Sequence, residues 1–328
     1  MRKRIVSIVL TMILLLALTA CNQAQAPAPD SQAAAVDFPT KDITIICPFG
    51  AGGGTDAMGR KIAEIAQGLF DQNVLVVNKT GGSGAVGMGE GSAARPDGYT
   101  ITMATVEINL LPLAELATFT LDDFKPVILF NYDADGIFVR ADSKYQTLEE
   151  LIADAKANPG KVSLMVSGFP SHLWMVGAML QEQADVEFNL IPEAGGAAEQ
   201  IQSLLGGHVD ATIVTVPEGL KYVNSGDFRA LVTCEENAIE SVPTFKAKNY
   251  DIEVGTWRGL VVPKDTPDHI VNQLSEVFTQ VYEDPSMQEF LQSMSFGARY
   301  MNSTDFSALI QKENKEYAPI IEKYKELY

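Results

Sequence analysis

Short apolar runs separated by helical repeats constrain this chain more than any other feature. Residues 43–47 (ITIIC) have the length and apolarity of a buried strand. Beyond them Met58, Ile62, Ile65 and Leu69 recur at intervals of 4, 3 and 4, which lays one apolar stripe along a helix. Residues 74–77, a glycine-rich turn, a short Ala-rich helix and residues 99–104 continue the alternation. It returns with strands at 162–166, 186–191, 208–214 and 228–234, and helices at 173–183 and 197–205. The second of these helices is stopped by Gly206-Gly207. Alternation of this kind places helices over a mainly parallel sheet. After residues 257–263 the chain turns helical. Thr266-Pro267 opens a helix carrying Ile270, Leu274, Val277, Phe278 and Val281; a shorter one follows Pro285, and a last begins near Thr304 with a bend expected at Pro319.

A length of 328 residues suggests about two domains. With 24 Lys+Arg against 42 Asp+Glu, the formal charge is −18, so there is no cationic surplus to displace counterions from a phosphate backbone. Nucleic acid is not an expected partner, and any bound anion must be held by local donors. Met1-Arg2-Lys3-Arg4 precedes an apolar run at 5–18, too short for a spanning helix of about 20 residues and suited to a secretory signal. Leu18-Thr19-Ala20-Cys21 resembles the lipobox of bacterial lipoproteins. It implies a signal peptide at 1–20, a lipidated Cys21 and a flexible Ala/Gln/Pro-rich tether at 21–37. The body is expected to be soluble, extracytoplasmic and held to the membrane through that lipid alone. Cys47 and Cys234 fall in apolar runs and are expected as buried free thiols, with a disulfide in an oxidising compartment as the alternative.

The chemistry gathers in loops. Residues 48–56 join a strand to a helix at the strand's carboxyl end, where open α/β sheets place ligands. Their glycines allow several N–H groups to point into one space beside a helix N-terminus, an anion site without basic side chains. Phe49, Gly50, Ala51, Gly52, Gly53, Thr55 and Asp56 are the candidates there, and Thr55 or Asp56 could also cap the helix. A second loop offers Gly82, Ser83 and Gly84. Gly82, Gly84 and Gly87 also satisfy G-x-G-x-x-G, with Glu107 placed 20 residues past Gly87 as a ribose-binding acid would be, so a dinucleotide enzyme is one alternative. The following helix, short and holding Gly87, Gly89 and Gly91, speaks against it. Histidines are sparse and unclustered, and no nucleophile elbow or P-loop lysine occurs, so no catalysis, metal or cofactor is expected. A third loop, 167–172, brings Ser167, Ser171 and His172 to a strand–helix junction, with Ser171 equally suited to capping; Trp174 reads as core. A fourth, 192–196, contains Glu193, Ala194 and Gly195. Two glycine-bearing loops from each half suggest a cleft between lobes.

In order and spacing, FPTKDITIICPFGAGGGTD, GGSGAVG, RPDGYT, LLGGHVD (204–210) and WRGLVVPKDTP resemble the substrate-binding receptors of tripartite tricarboxylate transporters, over residue 38 to the C-terminus. The resemblance implies a two-lobed, type II periplasmic-binding-protein clamshell, each lobe a mainly parallel sheet flanked by helices. Lobe one would comprise 38–137 plus 256–328 and lobe two 138–255, hinged near Ile137 and Gly255. It implies a monomer that grips a carboxylate through loop amides and ordered water, then delivers the solute to membrane permease subunits. A sensor presenting ligand to a signalling protein is the other alternative. The chain departs from the family pattern at 105–109, where Thr105 and Glu107 stand, at 191–196 with Glu193, and at Phe169-Pro170. Carboxylates at Glu107 and Glu193 would repel a tricarboxylate. The expected solute is therefore a smaller organic acid, or an amino acid whose ammonium one of these glutamates meets.

Overall fold

The computed structural model describes residues 38–328 except 194, 195 and 237. The expected signal peptide, Cys21 and the tether lie outside the described residues. Alternating elements open the fold: β1 (Ile43–Cys47), α1 (Gly54–Ala66), β2 (Val74–Asn78), α2 (Ala85–Ser92), β3 (Thr100–Ala104) and α3 (Glu107–Leu113). Next come β4 (Phe124–Arg140), α4 (Leu148–Ala157), β5 (Ser163–Ser167), α5 (His172–Ala184), β6 (Asn189–Glu193), α6 (Ala197–Leu205), β7 (Ala211–Thr215), α7 (Val216–Ser225) and β8 (Phe228–Thr233). The chain closes with β9 (Gly255–Pro263), α8 (Asp268–Glu283), α9 (Pro285–Ser293), β10 (Ala298–Asn302) and α10 (Ser303–Tyr324).

Two parallel groups flank an antiparallel middle. β1 pairs in parallel with β2 and β3, and β5 pairs in parallel with β6 and β7. Between them β9 runs antiparallel to both β3 and β4. β4 spans the middle and links the two groups. Its residues 124–134 pair with β9, and 128–131 also with β10, whereas 135–140 pair with β7 and β8. The partners change between Ala134 and Asp135. At the same level β9 begins at Gly255, where a Cβ would come within 2.5 Å of the Asp133 carbonyl oxygen, so only glycine allows the two backbones so close.

The apolar runs at 43–47 and 74–77 form strands as expected, and Trp174 is buried. Other boundaries moved. α1 stops at Ala66, leaving Leu69 exposed beyond the apolar stripe. The strand expected at 186–191 forms at Asn189–Glu193, and the one expected at 208–214 at Ala211–Thr215. β4 was anticipated only as a crossing near Ile137, because Pro126, Asn131, Asp133, Asp135 and Gly136 break its apolar run into pieces. Yet Asn131, Asp133 and Asp135 are all buried, and their spacing of two puts them on one face of the strand. A second buried polar knot ties α10 to β9 and α3: Glu313 accepts from Trp257 Nε1 at 3.0 Å and from Asn109 Nδ2 at 3.1 Å. Cys47 and Cys234 are free and buried. No helix among the described residues is long and apolar enough to cross a membrane.

Candidate functional site

A cavity of about 450 Å³ opens where β5 and β7 end and the helices after them begin. Ser167 ends β5; His172 and Leu173 open α5; Ala197 opens α6; Thr215, Pro217 and Glu218 join β7 to α7. Three helices thus turn their first turns, each with a positive dipole end, toward one space. Facing them are Asp133 from β4, Thr256 and Arg258 from β9, and residues 294–296 between α9 and β10. Thr215 and Glu218 form a capping box that turns the Glu218 carboxylate back onto the start of α7.

Two buried aspartates on the polar face of β4 organise the cavity wall. Asp133 accepts from Arg258 Nη1 at 3.1 Å, from Asn131 Nδ2 at 2.9 Å and from the Gly297 N–H at 2.7 Å. The Arg258 guanidinium lies over the Phe296 ring, 4.4 Å from its centroid, and donates through Nε to Thr55 Oγ1 at 3.3 Å. Two residues along β4, Asp135 meets His172 Nδ1 at 2.9 Å. Burial alone would lower the imidazole pKa, but the Asp135 carboxylate, with smaller contributions from Glu107 and Glu218, raises it to about 9. His172 is therefore an imidazolium at neutral pH.

The expected site residues divide into those this geometry gathers and those it directs elsewhere. Ser167 and His172 line the cavity, and Thr55 reaches it through Arg258. The first two loops touch, since a Cβ on Gly84 would stand 3.3 Å from the Phe49 ring. Gly50, Ala51, Gly52, Gly53, Gly82 and Ser83 are exposed on these loops. Asp56 is turned inward and is occupied: it accepts from the Gly52 N–H at 2.8 Å, Arg60 Nε at 2.9 Å and Asn78 Nδ2 at 2.7 Å. Burial would raise its pKa, but these donors, Arg60 foremost, hold it below the usual carboxylate value. Thr105 donates to the Glu107 carboxylate at the start of α3. Phe169 stacks on Tyr328 and meets the edge of Trp174, while Ser171 caps α5 by accepting from the Trp174 N–H at 3.1 Å. Glu193, half-buried, ends β6 in register with Ser167. Ala194 and Gly195 lie outside the described residues.

Arg258, Asp133 and Asp135 were missed. The expectation of an anion site without basic side chains does not fit a cavity lined by Arg258 and a protonated His172. A usable signal was present: polar residues at alternate positions 131, 133 and 135 within an otherwise apolar stretch mark a strand face turned toward something polar.

The fold is that of the two-lobed periplasmic solute-binding proteins. Within that class, residues 58–325 match the tripartite tricarboxylate transporter family receptor, and the chain belongs to this family. A UPF0065 protein in the gbd 5' region of Cupriavidus necator is 34% identical over 302 residues, spanning 89% of this chain and 90% of that protein. Among solved structures, a TctC solute-binding protein from Polaromonas is similar at 36% identity and a TM-score of 0.81, covering 87% of this chain and 99% of its own. The periplasmic binding protein BugD aligns at 26% identity and a TM-score of 0.69, over 87% of this chain and 98% of its own.

Proposed function

We propose that this receptor captures a small carboxylate-bearing metabolite, an organic acid or an amino acid, and delivers it to the membrane permease subunits of a tripartite tricarboxylate-type transporter. One observation carries the reading: the first turns of α5, α6 and α7 converge with Arg258 on a single cavity sized for a small metabolite. Helix N–H groups and a guanidinium together suit a carboxylate, despite the chain's formal charge of −18. The exposed amides of the first two loops would complete the grip, and Glu107 or Glu193 would meet an ammonium if the solute is an amino acid. In this reading lobe one is 38–137 plus 256–328 and lobe two is 138–255. They hinge where β4 changes partners, and binding favours the closed state. Micromolar affinity requires about −8 kcal/mol. Cys21 carries the lipid that keeps the receptor at the outer face of the membrane.

A thermal-shift screen of the purified receptor against carboxylates, amino acids, sugars and phosphate esters tests this. A carboxylate at about 100 times its Kd should add about 2.7 kcal/mol of stability, and sugars nothing. Stabilisation by no carboxylate would refute the reading. Glu107→Gln and Glu193→Gln then sort the solutes: an amino acid should lose affinity in one variant, while an organic acid should not. Labelled palmitate entering the wild-type chain but not Cys21→Ser would support the anchor.

A further inference from the structure

α10 is rooted in one part of the fold, and its last turn grips another. Its Phe306, Ile310, Tyr317 and Ile321 are buried, and its Glu313 accepts from Trp257 on β9 and Asn109 on α3. Lys325 adds a tie on that side, pairing with Glu115 just beyond α3 at 2.6 Å. Residues 323, 324 and 328 instead reach α5 and the loop before it. Lys323 Nζ and the Tyr324 hydroxyl both donate to Glu182, at 2.5 and 2.7 Å. Tyr328 stacks on Phe169, with ring centroids 4.8 Å apart and planes 9° from parallel, and its hydroxyl accepts from Trp174 Nε1 at 3.2 Å. Tyr324 and Tyr328 meet Trp174 edge-on, at 5.3 and 5.8 Å between centroids. Trp174 is 1% exposed but Tyr328 is 64% exposed, so the tyrosine sits on the surface of the cluster and can leave without opening the core. A cavity of about 500 Å³ lies beside Glu182, Tyr324 and Tyr328, leaving that flank unpacked.

We propose that residues 323–328 form an aromatic clasp between the lobes, which sets how readily they move relative to each other. The inference rests on the receptor reading above, in which α10 belongs to lobe one and α5 to lobe two. β4 and β9 cross between the lobes as continuous chain and cannot let go, whereas the clasp can. The ring contacts and hydrogen bond of Tyr328 are together of the size that separates two conformers of one protein, enough to shift their ratio about tenfold. Phe169 is the lobe-two half of the clasp, and its loop also brings Ser167 and His172 to the cavity. Release of the clasp and movement of the cavity wall are therefore coupled.

Single-molecule energy transfer in the full chain tests the clasp, with dyes carried on unnatural residues in place of Gln67, just past α1, and Lys156 on α4, both exposed. The wild type should give one dominant distance between the lobes. Tyr328→Ala should raise the ratio of a second distance to the first about tenfold, with little change in the denaturation midpoint, because the ring is a surface one. Tyr328→Phe keeps the stacking and gives up only the Trp174 hydrogen bond, so it should shift the ratio about threefold or less. Phe169→Ala removes the other half and should shift it at least as far as Tyr328→Ala. Combining the two should add no more than about twofold to Phe169→Ala alone, since a clasp already open cannot be opened again. A ratio unchanged in Tyr328→Ala, or single effects that simply multiply in the double variant, overturns the clasp and leaves the receptor reading standing. That reading fails separately, if no carboxylate stabilises the wild type.

Discussion

His172 couples the cavity to pH. Its pKa of about 9 exceeds the ordinary 6.5, so the folded state holds a proton that the unfolded chain releases earlier. The stability contributed by the His172–Asp135 pair is fully present below pH 6.5 and is lost as pH rises through about 9. Glu107 and Glu218 are the other carboxylates that act on the imidazolium. Urea unfolding from neutral to alkaline pH should show the wild type losing stability where His172→Gln loses less, and parallel pH curves would contradict this. At this scale the sequence was half legible. Glycine loops advertise themselves locally, and Ser167, His172 and Thr55 followed from them. Arg258 and Asp133 meet across 125 positions of chain, a contact no local pattern encodes.

At the scale of elements, α2 shows how a weak helix can be a well-packed one. Gly87, Gly89 and Gly91 speak against a robust helix, yet they let it press onto its neighbours: a Cβ at Gly91 would overlap the Thr102 hydroxyl on β3, and one at Gly87 would lie 2.7 Å from Pro48. Gly91→Ala should therefore cost about 1–3 kcal/mol by overpacking, in spite of alanine's higher helix propensity. An unchanged or higher denaturation midpoint would contradict that packing. Glu313 makes an independent test of the joint between α10, β9 and α3. Burial raises its carboxyl to about 8, although the Trp257 and Asn109 donors pull the other way. A raised carboxyl contributes stability below pH 4.5 that is lost as pH rises through about 8. Glu313→Gln, which can still accept from Trp257, should gain stability relative to wild type as pH rises through that window; no relative gain would contradict it. The outer strands and helices were legible because each carries its own period. β4 was not, since its polar face serves the cavity and disguises a strand as a broken run.

For the whole molecule, β4 matters most, since it links the two strand groups and carries the aspartates that hold the cations. The acidic chain offers no general attraction for anions. Its capacity to bind one rests on local arrangement: three helix amino ends, an arginine and an imidazolium around one space. The family could be recognised from motifs in order along the chain, while the chemistry of the cavity required distant strands to be brought together. The most direct test is a crystal structure of the receptor grown with a carboxylate that stabilises it. The account predicts density for the solute inside the cavity, a carboxylate within hydrogen-bond distance of Arg258 and of an N–H in the first turn of α5, α6 or α7. A solute seated elsewhere, with Arg258 still bound only to Asp133 and Thr55, would contradict it.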